Sequence, residues 1–176
     1  MWGSQILSIA ETSEDEFIIM EDMIPKRMNV EVNLSCPNLP ENTVPKLIDN
    51  DSPMMFTALH VENAGLIGRD WCIAKVSPFI TGKELRHVVE KLNFRQIHLA
   101  NTIPTEKGGL SGPALKPYVL QLIHYVRGMW GDRITIIAGG GIRTDDDVTE
   151  YMDAGANHIS LGTVCFNPFK LRKLLR

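Results

Sequence analysis

The sequence predicts an α/β fold in which short parallel strands alternate with helices. Six short apolar runs, each bounded by Gly, Pro, Ser or Asn, are followed by polar segments that begin like helices. Such runs are typical of strands that are covered on both faces, and repeated strand–helix alternation favours a parallel sheet with right-handed crossovers. The predicted strands span residues 5–9, 29–34, 71–76, 96–100, 134–138 and 158–161.

Helix starts are marked by residues that favour helix N-termini. Ser13 and Thr81 each precede a Glu by three residues, as in a capping box. Thr144 precedes three aspartates, as in a first helical turn. Pro113 suits the first position of a helix, which we predict to continue through residue 126 with one apolar stripe. The stretch 37–53 is polar and rich in Pro and Asn, and it predicts a long loop leading into a short helix near residues 54–61.

The alternation alone is compatible with two architectures. An open, doubly wound sheet and a closed barrel of eight strand–helix units both place helices between parallel strands. A complete barrel takes ~250 residues, so six units in 176 residues are two units short of it. We expect a single domain over residues 1–176.

Composition indicates an ordinary globular domain with one core. The chain is 44% hydrophobic and 22% charged, with a formal net charge of −3, which gives no electrostatic reason for nucleic acid or an anionic membrane as partner. No apolar run approaches the ~20 residues of a membrane span, and the N-terminus does not resemble a signal peptide. Three scattered cysteines and five histidines show neither disulfide nor metal spacing. We therefore expect a cytoplasmic protein without a metal site.

Polar and small residues follow the predicted strands from the second onward. In parallel α/β proteins the ligand lies at the carboxyl ends of the strands, so these residues are the candidate binding residues. The polar candidates are Asn33, Cys36, Asn38, Lys75, Asn101 and Thr102. The small-residue turns lie at residues 108–112, 139–142 and 162–163.

The glycine turns suggest a phosphate site. Glycine allows positive φ and lets backbone N–H groups approach an anion without a Cβ in the way, and turns after the last two strands are the usual phosphate site of a barrel. The glycines at 139–141 alone could equally form a tight strand–helix turn. Together with Gly162 and Thr163 one unit later, phosphate binding is the better explanation.

Lys75 and Cys36 are the two candidates whose side chains suggest a specific chemical role. Lys75 lies at a strand end in an apolar run, where a lysine needs a negative partner; it either pairs with a neighbouring carboxylate or holds charge near a cofactor that becomes anionic on reduction. Cys36 lies among polar residues in a strand-end loop, where a thiol could serve as acid or base. Cys72 and Cys165 are expected to be small buried hydrophobes.

These residues, in this order, resemble the dihydroorotate dehydrogenase family. The matching segments are NLSCPN at 33–38, KVSP at 75–78, NT at 101–102, GGLSGP at 108–113, GGGI at 139–142 and GT at 162–163. NLSCPN is quite specific, whereas the glycine turns alone would fit many FMN barrels. Residues 6–17 also resemble the family's third strand and following helix, so the similarity covers the chain except for residues 39–70.

The resemblance implies an incomplete (β/α)8 barrel of the TIM-barrel type. Residues 1–176 would form a single partial FMN-binding domain of about six units, with the family's first two units missing. Missing strands would expose sheet edges and part of the core. The expected partner is therefore a second copy or a complementing chain.

The resemblance also implies a reaction and a role for each candidate. Dihydroorotate would be oxidised to orotate in de novo pyrimidine (UMP) synthesis, losing a proton from C5 to a base and a hydride from C6 to FMN. Cys36 would be the base, as in the family's soluble class; the membrane-associated class uses serine. The substrate would be bound by Asn33, Asn38, Asn101 and Thr102. The flavin would be held by Lys75 at its N1/O2 edge and, at its phosphate, by Gly112, Gly140, Gly141, Gly162 and Thr163.

Two alternatives stay open. The chain could be a catalytically impaired fragment or an assembly subunit of the same family. The absence of bound flavin, or tight association with another polypeptide, would favour this alternative. It could also be a related FMN barrel acting on another dihydropyrimidine, as in dihydropyrimidine dehydrogenase or dihydrouridine synthase. Those relatives share an Asn-x-x-Cys-Pro core, but Asn38 after Pro37 fits dihydroorotate dehydrogenase better.

Overall fold

The computed structural model describes residues 5–10, 23–35 and 69–175. Predictions for the helix start at Ser13, for the loop and helix between 37 and 61, and for Cys36 and Asn38 lie outside these residues. The chain divides into two compact units, so the single domain expected over residues 1–176 stays a prediction. Unit 1 comprises Met1–Lys75 and Ile80–Gln96, and unit 2 comprises Val76–Phe79 and Ile97–Arg176.

Unit 1 contains three parallel strands that lie side by side in chain order. They are β1 (Ile6–Ile9), β2 (Asn29–Asn33) and β3 (Cys72–Val76, its last residue in unit 2). Ile6 lies opposite Asn29 in the first pair, and Val30 lies opposite Cys72 in the second. Most residues of β2 and β3 are buried, as expected for strands covered on both faces, whereas β1 buries only Ile9. The first three predicted strands are confirmed to within one residue at each end.

One helix of unit 1 follows β3. Helix α1 (Gly82–Arg86) continues into a π-helical turn, His87–Lys91. The predicted capping box at Thr81 is confirmed: its hydroxyl accepts from the Glu84 N–H at 3.3 Å, and the Glu84 carboxylate accepts from the Thr81 N–H at 2.6 Å. Leu85 is fully buried on the inner face. The cap satisfies backbone donors that a helix start would otherwise leave unpaired.

Unit 2 contains the remaining strands. They are β4 (Gln96–Leu99, its first residue in unit 1), β5 (Ile103–Thr105), β6 (Gly108–Leu110), β7 (Thr135–Gly139) and β8 (His158–Ser160). β4, β7 and β8 are neighbours in that order, and β7 runs parallel to β8 with Ile137 opposite His158. β5 and β6 form an antiparallel hairpin that the sequence did not predict. The last three predicted strands are confirmed within a residue.

The helices of unit 2 follow the glycine turns. They are α2 (Lys116–Trp130), α3 (Asp145–Asp153) and α4 (Pro168–Leu174). The predicted helix start at Pro113 is confirmed: Pro113 is the first residue of a 3-10 turn, Pro113–Leu115, that runs directly into α2. The predicted apolar stripe of α2 was Leu120, Ile123 and Val126; Ile123 and Val126 are buried, and Leu120 is half-buried. No helix in the described parts of the chain is long and apolar enough to cross a membrane.

Candidate cofactor and substrate site

Lys75 and Asn33 meet at the carboxyl ends of β3 and β2. They are opposite each other in the strand register, and the Lys75 carbonyl accepts from the Leu34 N–H at 2.9 Å. Asn33 Oδ1 accepts from the Ser35 N–H at 3.3 Å, which turns the chain as β2 ends. Two of the predicted site residues in unit 1 are therefore adjacent.

Lys75 has a carboxylate partner on the neighbouring strand. Its Nζ lies 3.7 Å from Glu31 Oε1, with the two side chains 23% and 12% exposed. The same carboxylate oxygen accepts from the Ser8 hydroxyl at 2.8 Å. Of the two explanations for Lys75, the ion pair is present in the structure, and the flavin contact stays a prediction.

Asn101 is a buried polar side chain immediately beyond β4. It is 7% exposed, its N–H donates to the Val76 carbonyl at 2.8 Å, and its side-chain oxygen accepts from the Thr102 N–H at 2.9 Å. These bonds fix the local backbone within unit 2. A buried amide in such a place is rigid, which suits a group that must hold a ligand in one orientation.

Two glycine turns of unit 2 pack against each other. Gly140 and Gly141 have φ of 110° and 77°, values that side chains rarely tolerate. A Cβ on Gly140 would lie 2.9 Å from Leu115 Cβ, and one on Gly141 would lie 2.9 Å from Pro113 Cα. The need for glycine at 140 and 141 is thus explained by the tight turn and its packing, and phosphate binding there stays a prediction.

The remaining predicted phosphate residues lie beside the same turns. Ser111 Oγ and Thr163 Oγ1 are 3.0 Å apart, so the loop after β8 reaches the residue before Gly112. A Cβ on Gly162 would meet nothing within 4 Å, so that position is open rather than packed. Within residues 69–175, the structure gives the N–H groups of Gly112 and Gly141 no hydrogen-bond partner. This part of the chain offers backbone donors and hydroxyls to a ligand.

Tyr151 fixes the peptide group of Gly140 by a hydrogen bond. The side chain is fully buried, and its hydroxyl donates to the Gly140 carbonyl at 2.6 Å. Burial raises the pKa of Tyr151 to about 12, so the hydroxyl stays a proton donor near neutral pH. Because C=O and N–H point in opposite directions across a trans peptide, this bond turns the Gly141 N–H away from Tyr151. Nothing in the sequence pattern marks Tyr151 as a site residue, because it does not differ from other buried helix positions.

An ion cluster joins helices α2 and α3 next to these turns. Lys116 Nζ contacts Asp147 Oδ1 at 2.5 Å and Glu150 Oε2 at 2.6 Å, and these hydrogen bonds raise the pKa of Lys116 above its usual value. Asp147 also accepts from the backbone N–H groups of Arg143 and Thr144 and from the Thr144 hydroxyl. Burial would raise the pKa of Asp147, but these bonds outweigh burial and lower it to about 2. The predicted helix start at Thr144 is confirmed, and the Lys116 contact was not predicted.

The two described cysteines differ. Cys72 is buried in β3 as predicted, and burial raises the pKa of its thiol to about 12, so it is not a nucleophile near neutral pH. The prediction for Cys165 is wrong, because this residue is exposed in a 3-10 turn. Among the described residues, no group of His, Cys, Asp or Glu could hold a metal ion.

The parallel strands of each unit and the helices that follow them define an α/β protein. The sequence model of the dihydroorotate dehydrogenase family matches residues 4–175. The chain therefore belongs to the dihydroorotate dehydrogenase family, which confirms the predicted resemblance.

Curated relatives cover nearly all of this chain. The Dihydroorotate dehydrogenase B (NAD(+)), catalytic subunit of Listeria monocytogenes serotype 4b is 31% identical over 189 residues, covering 97% of this chain and 60% of the relative. The protein of the same name from Staphylococcus carnosus is 29% identical over 192 residues, with the same coverage. This chain spans about 60% of the length of these relatives.

Solved structures confirm the fold. A ligand-free DHODH structure from Eimeria tenella matches with a TM-score of 0.72 at 20% identity, covering 92% of this chain and 54% of that chain. The complex of the Eimeria enzyme with ferulenol matches with a TM-score of 0.71. The predicted fold class, an incomplete barrel of the (β/α)8 type, is confirmed.

Proposed function

We propose that this chain catalyses the FMN-dependent oxidation of dihydroorotate to orotate in de novo pyrimidine synthesis. The observation that carries the proposal is the family match over residues 4–175. The order of polar residues and glycine turns at the strand ends supports it.

The turns of unit 2 fit the phosphate of FMN. Gly112 and Gly141 offer N–H groups without partners among the described residues, and Thr163 offers a hydroxyl 3.0 Å from that of Ser111. N–H groups of glycine turns and hydroxyls are the donors that bind phosphate in parallel α/β proteins. When bound there, FMN would supply the hydride acceptor for the oxidation. We assign the phosphate to Gly112, Gly140, Gly141, Gly162 and Thr163.

Lys75 is proposed to place a positive charge at the N1/O2 edge of the flavin. Its pairing with Glu31 supports the role in one respect, because an ion pair with such a carboxylate orients a half-buried lysine side chain. The distance of 3.7 Å is longer than a direct hydrogen bond. The ammonium group therefore keeps donors for a second anionic partner.

Cys36 is proposed as the base that removes the C5 proton. Asn33, Asn38, Asn101 and Thr102 are proposed to bind the pyrimidine ring and carboxylate, because amides both donate to and accept from such groups. A Cys36→Ala variant is expected to lose turnover and to retain flavin binding. Loss of flavin binding instead would show that Cys36 is misplaced.

The first test is the visible absorption spectrum of the purified chain, recorded anaerobically before and after adding dihydroorotate. A yellow protein that dihydroorotate bleaches supports the proposal, with dihydrouracil as the control substrate. Bleaching by dihydrouracil alone would favour a related barrel acting on another dihydropyrimidine. A colourless protein that cannot be loaded with FMN would contradict catalysis and favour an impaired fragment or assembly subunit.

A second chain is proposed to complete the active assembly in the cytoplasm. Phe166 and Phe169 are 90% and 88% exposed, and exposed large apolar side chains mark association surfaces. The relatives are NAD(+)-type dihydroorotate dehydrogenases by name, which favours NAD(+) as the electron acceptor. Free Cys72 and Cys165 suit a reducing compartment. Light scattering of the purified chain tests association, and a strictly monomeric active chain would contradict it.

A further inference from the structure

Arg143 places a guanidinium group at the packed glycine turns. It follows Ile142 directly, and a Cβ built on Gly112 would lie 4.0 Å from its Nη2. Its backbone N–H donates to Asp147 Oδ2 at 2.9 Å, which anchors the residue. The side chain is exposed, and among the described residues the structure gives its guanidinium no carboxylate or hydrogen-bond partner.

The other charged groups around these turns do not favour an anion. The positive charge of Lys116 is already shared by Asp147 and Glu150. Asp145 and Asp146 add two exposed carboxylates to the first turn of α3. A helix N-terminus usually attracts anions, but here its own carboxylates oppose a phosphate. Backbone N–H groups alone must then overcome this repulsion unless a cation joins them.

We propose that Arg143 binds the phosphate of the flavin and makes this chain select FMN over riboflavin. The inference rests on the proposed function and deepens it. A guanidinium presents donors in a planar fork that matches two phosphate oxygens. Arg143 lies two residues after Gly141, and its guanidinium lies beside Gly112, so this cation is close to the turns that carry the glycine N–H groups.

The test compares the affinity for FMN with that for riboflavin, which lacks the phosphate. Both are measured by quenching of flavin fluorescence for the wild type, Arg143→Ala and Arg143→Lys. Arg143→Ala is expected to weaken FMN binding about tenfold or more, the effect of losing hydrogen bonds to a charged group, and to leave riboflavin binding unchanged. Arg143→Lys is expected to be intermediate, because lysine keeps the charge without the fork.

The matched control is Arg133→Ala. Arg133 is also exposed but precedes β7, whereas Arg143 follows the turn at the opposite end of that strand. Removing its charge is expected to change neither affinity. If Arg143→Ala and Arg133→Ala weaken FMN binding equally, the effect arises from net charge and the inference fails.

The remaining outcomes separate the inference from the proposed function. Unchanged FMN affinity in Arg143→Ala, or an equal loss for FMN and riboflavin, would overturn the role of Arg143 while bleaching of the flavin by dihydroorotate still stands. A wild type that binds both flavins equally would overturn selection for the phosphate. A wild type that binds neither flavin would overturn the proposed function and this inference together.

Discussion

The carboxyl end of β3 and the turn after β7 present binding groups in different ways. At the end of β3 the chemistry lies in side chains: Lys75 offers an ammonium group, and Glu31 of the next strand holds it. After β7 it lies in the backbone: Gly140 and Gly141 adopt positive φ and pack on a neighbouring turn. Each arrangement belongs to a different unit of the chain.

This difference predicts opposite sensitivities to mutation. A side-chain site on a regular strand should lose charge or contact when a residue is shortened, while the strand keeps its path. A turn made of packed glycines should be disrupted when a single methyl group is added, because both its conformation and its neighbour leave no room. The four predictions below test this contrast.

Gly141→Ala is expected to have the largest effect. The added Cβ would lie 2.9 Å from the Pro113 Cα, at a φ of 77°, so strain and overpacking together should cost about 2–5 kcal/mol. Urea unfolding followed by circular dichroism measures the loss. FMN binding is expected to disappear with it.

The matched control for this variant is Gly162→Ala. Nothing lies within 4 Å of the Cβ position at Gly162, and its φ is −111°. Gly162→Ala is therefore expected to cost clearly less stability than Gly141→Ala, because the added methyl group meets no neighbouring atom. Equal destabilisation by the two substitutions would show that steric packing does not distinguish the two turns.

Tyr151→Phe is expected to have the next largest effect. The change keeps the buried ring and removes the hydroxyl that donates to the Gly140 carbonyl, at a cost of ~1–3 kcal/mol. The same unfolding measurement applies, together with FMN affinity, which should fall because the Gly141 N–H is no longer held in place. Tyr118→Phe is the control, because Tyr118 is exposed and its ring contact with Phe79 survives the change. Unchanged stability and unchanged FMN affinity in Tyr151→Phe would contradict the role of this hydroxyl in positioning the turn.

Acid is expected to lower the stability of the same region by protonating Asp147. Its pKa is lowered to about 2 in the folded chain, below the ~3.9 of an unfolded aspartate. The ionised Asp147 therefore stabilises the folded chain by ~1–2 kcal/mol after solvent screening. This contribution is complete above pH ~4 and is lost as the pH falls through the pKa of Asp147 in the folded chain. Urea midpoints measured between pH 5 and 2.5 test it. Asp147→Asn should flatten this part of the profile, whereas the exposed Asp146→Asn should not.

The smallest effect is expected at the Lys75–Glu31 pair. Both groups retain some exposure, so a double-mutant cycle of Lys75→Met and Glu31→Gln should give a coupling of ~0.5–1 kcal/mol. The proposed flavin role predicts in addition that Lys75→Met slows flavin reduction and that Glu31→Gln slows it less. Unchanged reduction in Lys75→Met would leave only the ion pair as the function of this lysine.

Several elements could be predicted because the signal is local. The six strands appear as continuous apolar runs bounded by turn residues, and the caps at Thr81 and Thr144 involve residues three positions apart. The β5–β6 hairpin could not be predicted, because its two three-residue strands contain Pro104 and Gly109 and lack an apolar pattern. Its turn becomes visible only through the pairing of the strands.

The sequence by itself determined the α/β alternation, the family and the set of candidate residues at the strand ends. Only the tertiary structure decided which of them meet, because these contacts join residues far apart in the chain. Glu31 reaches Lys75 through strand register, and Thr163 reaches Ser111 across 52 positions. The bond from Tyr151 to Gly140 and the exposure of Cys165 likewise follow from how helices and turns pack, which no local pattern encodes.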